Sequence, residues 1–175
     1  MANGIVLGPD SVTLGRWIGK FGGGGYWTVR ANGGSIPSWI TALSVTSAGT
    51  GTLTLANTDN YFQVPGEADS NTYGNYTTCN IDLTMADANA YVTSVYILST
   101  TSTRRLAFKL QNSAGDTTYW TYTDPAFWGG QGKWYRFLHW GGSCRLRLEN
   151  ISGVTTLCGI TFDKYDGQFG NYCEE

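Results

Sequence analysis

His139 is the sole histidine of this 175-residue chain, and the glutamates are four: Glu67, Glu149, Glu174 and Glu175. A hydrolytic nucleophile needs a serine or cysteine aligned with a histidine and an orienting carboxylate. No G-x-S-x-G turn is present to expose such a serine. Alternation along "KWYRFLHW" puts His139 on the face of Tyr135 and Phe137, which reads as a structural or surface histidine. Glycosidic hydrolysis would instead need two carboxyls facing each other about 5 Å apart. Glu67 falls in a polar stretch and Glu149 at a strand end beside a turn, so neither suits an aromatic cleft. A pair of aspartates in a small glycosidase is the alternative; a non-enzymatic protein is expected.

The four cysteines, Cys79, Cys144, Cys158 and Cys173, contain no C-x-x-C pair, which argues against zinc. They read as buried thiols. Cys144 and Cys158 fall on strands joined by the turn "NISGV". They are expected to lie near each other as free or partly oxidised thiols. Oxygen-rich stretches ("NTDN", "EADSN", "FDKYDGQ") offer ligands of the kind calcium prefers, but not at EF-hand spacing. Asp163 and Asp166 are the candidate ligands, against the alternative of solvated turn acids. No other cofactor is expected.

Aromatic side chains are the richer signal: 7 Trp, 11 Tyr and 7 Phe. In "WGGQGKWYRFLHW", Trp134, Leu138 and Trp140 share one strand face, while Tyr135 and Phe137 share the other. One set must form core; the other must meet a second interface or solvent. Trp128 precedes two glycines in a loop. Trp120, Tyr122, Trp128 and Trp140 are candidates for stacking on sugars or anchoring a partner, with core packing as the alternative.

These side chains require a scaffold, and the period of the sequence names it. From residue 40 the alternation is two. Cys79, Ile81, Leu83 and Met85 face one way. So do Leu106, Phe108 and Leu110; Cys144, Leu146 and Leu148; and Cys158, Ile160 and Phe162. "YVTSVYIL" is apolar on both faces, as a central strand would be. "EADSNTYGN" reads as an exposed loop. About eight short strands separated by Gly- and Asn-rich turns indicate a sandwich or barrel.

Residues 1–38 differ. Leu14, Trp17, Ile18 and Phe21 fit one apolar helical face with Ser11 as its cap, and four consecutive glycines, Gly22–Gly25, follow. This reads as an arm whose four apolar residues contact an assembly, ahead of a sandwich domain over residues 39–175. The alternative is an ordinary first strand capping the domain's own core.

Net charge is −2 and only 14% of residues are charged, which excludes a basic nucleic-acid-binding face. No apolar run approaches the roughly 18 residues of a membrane-spanning helix. The start carries no basic and apolar leader pattern, which fits a chain that stays in the cytosol, one that leaves in an assembly such as a virion, or a processed domain with an added Met; of these, a virion component is the expected localisation.

The strand order resembles the jelly-roll, galactose-binding-like β-sandwich found in carbohydrate-binding modules and in phage tail and capsid accessory proteins. Gly132, Trp134, Tyr135 and Arg136 stand where that group has a "G-x-W-y-r" strand. Leu146, Leu148 and Asn150 match its "r-l-r-l-e-n" strand, and Asp163 its closing strand. The likeness covers residues 40–166. It implies an all-β, jelly-roll-like antiparallel sandwich. It also implies a structural or attachment role in a phage tail fibre or capsid decoration. The partners would be other virion proteins, two further copies in a homotrimer, and host-surface glycans. The alternative is a carbohydrate-binding module of a secreted glycoside hydrolase.

Overall fold

The computed structural model describes residues 3–10, 13, 17–20, 22–46, 50–52, 62–66, 72–99, 105–124, 131–152 and 155–167. They form twelve strands and no helix: β1 (Asn3–Asp10), β2 (Gly25–Thr28), β3 (Ile40–Thr46), β4 (Thr50–Thr52), β5 (Thr72–Tyr76), β6 (Thr78–Met85), β7 (Tyr91–Ser99), β8 (Arg105–Asn112), β9 (Thr118–Asp124), β10 (Gln131–Trp140), β11 (Cys144–Ser152) and β12 (Thr155–Lys164). A seven-stranded sheet runs β1-β10-β7-β12-β5-β4, with β2 also paired to β12, and a five-stranded sheet runs β3-β6-β11-β8-β9. All pairings are antiparallel. From β9 onward the chain changes sheet at every connection, so the two sheets face each other as a jelly-roll-like sandwich.

Alternation accounts for the layer between the sheets. Cys79, Ile81 and Leu83 meet Leu106, Phe108, Leu110, Leu146 and Leu148 from one side, and Val95, Ile97, Tyr135, Phe137, Ile160 and Phe162 from the other. The second apolar face of β7 is also used. Tyr96 and Leu98 join Trp134, Cys158, Trp17, Phe62 and Val64 in a separate cluster on the outer face of the seven-stranded sheet. The aromatics of β10 therefore divide as alternation requires: Tyr135 and Phe137 lie between the sheets, Trp134 in the outer cluster.

Several expectations are corrected. The described strands within residues 1–38 are not detached: β1 pairs with β10 from Asn3↔Trp140 to Asp10↔Trp134, and β2 pairs with β12. In place of a helix, Trp17–Lys20 forms a turn closed by the Lys20 amide on the Trp17 carbonyl. Glycine-flanked residues could not propagate a helix, whereas Gly25–Thr28 could pair along the edge of β12. Residues 72–75, the end of the stretch read as an exposed loop, belong to β5, which pairs with β12 and β4.

Cys158 does not share a face with Ile160 and Phe162. A bulge between Leu157 and Gly159 shifts the register against β7 and turns the Cys158 thiol into the outer cluster. Cys144 lies in the inter-sheet core. The two strands belong to different sheets and the thiols to different clusters, so they are not neighbours. Both are free, as is Cys79.

Candidate functional site: a glycine-floored groove

Local sequence dictates the loop before β2. Gly22 has φ of +76°, a left-handed conformation that disfavours a side chain. A Cβ there would also sit 2.6 Å from the Trp17 ring. At Gly34 a Cβ would collide with the Tyr26 carbonyl oxygen. The glycines thus let the backbone lie close to Trp17 on one side and let the Gly33–Ser35 segment close on β2 on the other. The Tyr26 amide donates to the Ser35 carbonyl and the Thr28 amide to the Gly33 carbonyl, each at 2.9 Å.

A buried carboxylate holds this loop. Asp163, on the outer face of β12, accepts the Gly22 amide at 2.6 Å. The nearby Gly23 and Gly24 amides and Arg136 favour its charged form, while the Gly24 amide donates to the Phe162 carbonyl at 3.0 Å. Burial pushes its carboxyl above the ordinary range, against the pull of those amides and of Arg136. Trp17 is 3% exposed, and its indole N–H donates to the Gln63 carbonyl at 2.8 Å. Its ring lies 5.7 Å from both Tyr26 and Phe62.

Two clefts flank Tyr26, the first of them over this loop. One, of about 280 Å³, runs over Gly22–Gly25 between Trp17, Ile18, Ser35 and Pro65. The other, of about 350 Å³, is bounded by Thr28, Arg30, Gly33, Gly34 and Val64. Tyr26 is half-buried between them. The lining combines aromatic faces, backbone amides and hydroxyls with one cation. It suits an elongated, polar, largely uncharged ligand that presents flat apolar patches.

The other candidates are placed as follows. Leu14, Phe21 and Trp128 lie outside the described residues. Trp17 is buried within its own chain and so is not an assembly contact, whereas Ile18 is 46% exposed at the groove rim. Trp120 and Tyr122 stack at 5.8 Å and are half-buried against the inter-sheet core. Trp140, at the end of β10, is 36% exposed. Asp163 is taken up by the Gly22 amide, while Asp166 is exposed, and no group of three potential metal-ligating side chains occurs among the described residues. Asp163 anchors the glycine loop through the Gly22 amide.

His139 is 2% exposed, with Nε2 2.9 Å from the Thr93 hydroxyl and Nδ1 3.7 Å from the Cys144 thiol. Burial lowers its pKa to about 4 and pushes the Cys144 thiol up to about 12. A neutral imidazole beside a protonated thiol is the opposite of an activated nucleophile. Four carboxylates of the described residues have structural partners too: Asp82 with Arg145, Asp124 with Lys133, Glu149 with Lys109 and Arg147, and Asp87 with Tyr91.

The sequence reading missed Tyr26 as a site residue. The available signal was the aromatic immediately after four glycines, where backbone can approach and a ring can stand clear.

No family model matches the chain, and no curated protein matches it. Among solved structures, it is similar to the enzymatically active domain of tailspike protein 4 of bacteriophage CBA120. The identity is 12% and the TM-score 0.36, over 89% of this chain and 21% of that one. The chain thus spans about a fifth of that structure's length. It is also similar to a carbohydrate-binding module of Cellvibrio mixtus lichenase 5A in complex with cellotriose, at 15% identity and TM-score 0.41 over 72% of this chain and 98% of that one. A third likeness is to TmCBM61 in complex with β-1,4-galactotriose, at 10% identity and TM-score 0.27 over 72% and 90%.

Proposed function

We propose that this chain is a non-enzymatic, glycan-binding β-sandwich and that the groove over Gly22–Gly25 is its binding face. The observation that carries the reading is the placement of Tyr26 between two clefts, where one ring can stack on a sugar while the flanking backbone and hydroxyls meet its neighbours. The engaged state of the carboxylates and the resting protonation of His139 and Cys144 support binding without turnover.

Two biological settings suit this activity. In the first, the chain is an attachment protein of a phage particle. The groove meets host-surface glycans, and exposed apolar side chains such as Ile5, Ile151 and Trp140 meet virion proteins or further copies in a homotrimer. In the second, it is the binding module of a secreted glycoside hydrolase and works as a monomer. The pairing of β1 and β2 within the sheet favours the second, because it removes the detached arm that the module reading left without a role.

The test is glycan-array screening of the whole chain beside its solution mass. Binding to oligosaccharides by a monomer supports the module, and binding by a trimer supports the attachment protein. Release of reducing sugar from any bound glycan overturns the non-enzymatic assignment, and absence of binding across neutral and acidic glycans overturns the function itself.

A further inference from the structure

We infer that Lys133 and Asp124 join in an intramolecular isopeptide bond, a self-modification that ties the two sheets together at one end of the sandwich. Lys133 starts from β10 in the seven-stranded sheet and points between the sheets, while Asp124 ends β9, the edge strand of the five-stranded sheet. Lys133 Nζ lies 2.6 Å from Asp124 Oδ2, and the residues are 4% and 2% exposed. Lysine ordinarily keeps its ammonium in water and buries only its stem. This one does not. Its Nζ sits 5.7 Å from the centroid of the Tyr135 ring, which in turn packs 4.4 Å from Phe108 and 6.4 Å from Tyr122.

An ammonium and a carboxylate withdrawn this far from water carry a large desolvation cost that their attraction only partly offsets. Condensation removes both charges. A proton passes from Nζ to the carboxylate along their hydrogen bond, leaving an amine with a free lone pair beside a carboxylic acid. The lone pair forms the Nζ–Cγ bond. One Cγ–O bond then breaks, and that oxygen leaves as water with two of the three ammonium protons. Nothing is oxidised or reduced, and no co-reactant is needed. The Tyr135 hydroxyl, which donates to Asp124 Oδ2 at 2.6 Å, polarises the carboxyl and hands on its hydrogen bond without net change. Fixing amine and acid in contact supplies the proximity that intermolecular amide formation lacks, with effective molarities of roughly 10⁵–10⁸ M in the best-aligned cases.

The bond is read directly by the mass of the purified, denatured chain. A linked chain is lighter by one water than its sequence. Both residues fall within the tryptic peptide 110–133, and acylated lysine resists trypsin. The expected product is therefore peptide 110–136, uncut after Lys133, one water lighter, with no fragment ions between residues 124 and 133. Lys133→Arg and Asp124→Ala each restore the full sequence mass, and Tyr135→Phe lowers the linked fraction. A wild-type chain of full sequence mass overturns the inference. So does a lost water in a chain that trypsin still cleaves after Lys133, since that places the dehydration elsewhere.

Discussion

Asp163 and Gly22, 141 residues apart in sequence, are joined by a 2.6 Å hydrogen bond from the glycine amide to the buried carboxylate. This contact turns four glycines into the floor of a groove. It also gives the fold a pH signature. Burial holds the Asp163 carboxyl above its ordinary value, so folding favours its protonated form. Its contribution is complete below the unfolded pKa of about 3.9 and is lost as pH rises through the raised value. The melting-temperature advantage of wild type over Asp163→Asn should therefore shrink as pH rises. An advantage that grows with pH would mean that the glycine amides outweigh burial.

His139 has the opposite sign. Its folded pKa of about 4 lies below the unfolded value near 6.5. Stability is present above about 6.5 and is lost as pH falls through about 4, to a total of about 3 kcal/mol. His139→Gln should melt lower than wild type at neutral pH yet show a flatter acid limb. Parallel acid limbs for the two proteins would contradict the buried, neutral imidazole.

Gly22 and Gly66 both have φ of +76°, but only Gly22 lies against a ring. Alanine at Gly66 incurs the left-handed strain alone, about 1–2 kcal/mol. Alanine at Gly22 adds overpacking against Trp17, typically about 1–3 kcal/mol more. Chemical denaturation of the two variants measures the difference. Equal losses would show that the Trp17 contact is looser than the geometry requires.

Trp17 decides whether the N-terminal segment is arm or core. Trp17→Ala should destabilise the monomer by about 3–5 kcal/mol. Deleting residues 1–25 removes β1 and Trp17 together and should leave no cooperative unfolding transition. A truncated chain that melts like wild type but changes its oligomeric state would restore the arm.

The fold was legible wherever one rule governed a strand. β6 and β11 alternate in sequence and in burial alike, and the doubly apolar β7 is indeed central. Reading failed where tertiary contacts decide. The period-3.6 spacing of Leu14, Trp17, Ile18 and Phe21 is coincidental at the described positions, because Trp17 is fixed by Gln63 and Phe62, far along the chain. The bulge that rotates Cys158 follows from β12 meeting β5 and then β2 along one edge, which no local pattern encodes. Asp163 was legible as a candidate ligand, but the group it holds is the Gly22 backbone amide, and composition does not reveal where an amide points. Tyr26 was passed over for the same reason: its exposure depends on glycines that looked like a break in structure.

The central claim is that sugar binds across Tyr26. Titration of wild type and Tyr26→Ala with an oligosaccharide selected on the array, followed by calorimetry and by amide shifts of Gly22–Gly25, tests it most directly. The account predicts saturable binding to wild type with shifts centred on those glycines. It also predicts at least a tenfold loss of affinity in Tyr26→Ala, about 1.4 kcal/mol, with an unchanged fold. Undiminished affinity in that variant, or shifts centred on Trp120, Tyr122 or Trp140 instead, would contradict it.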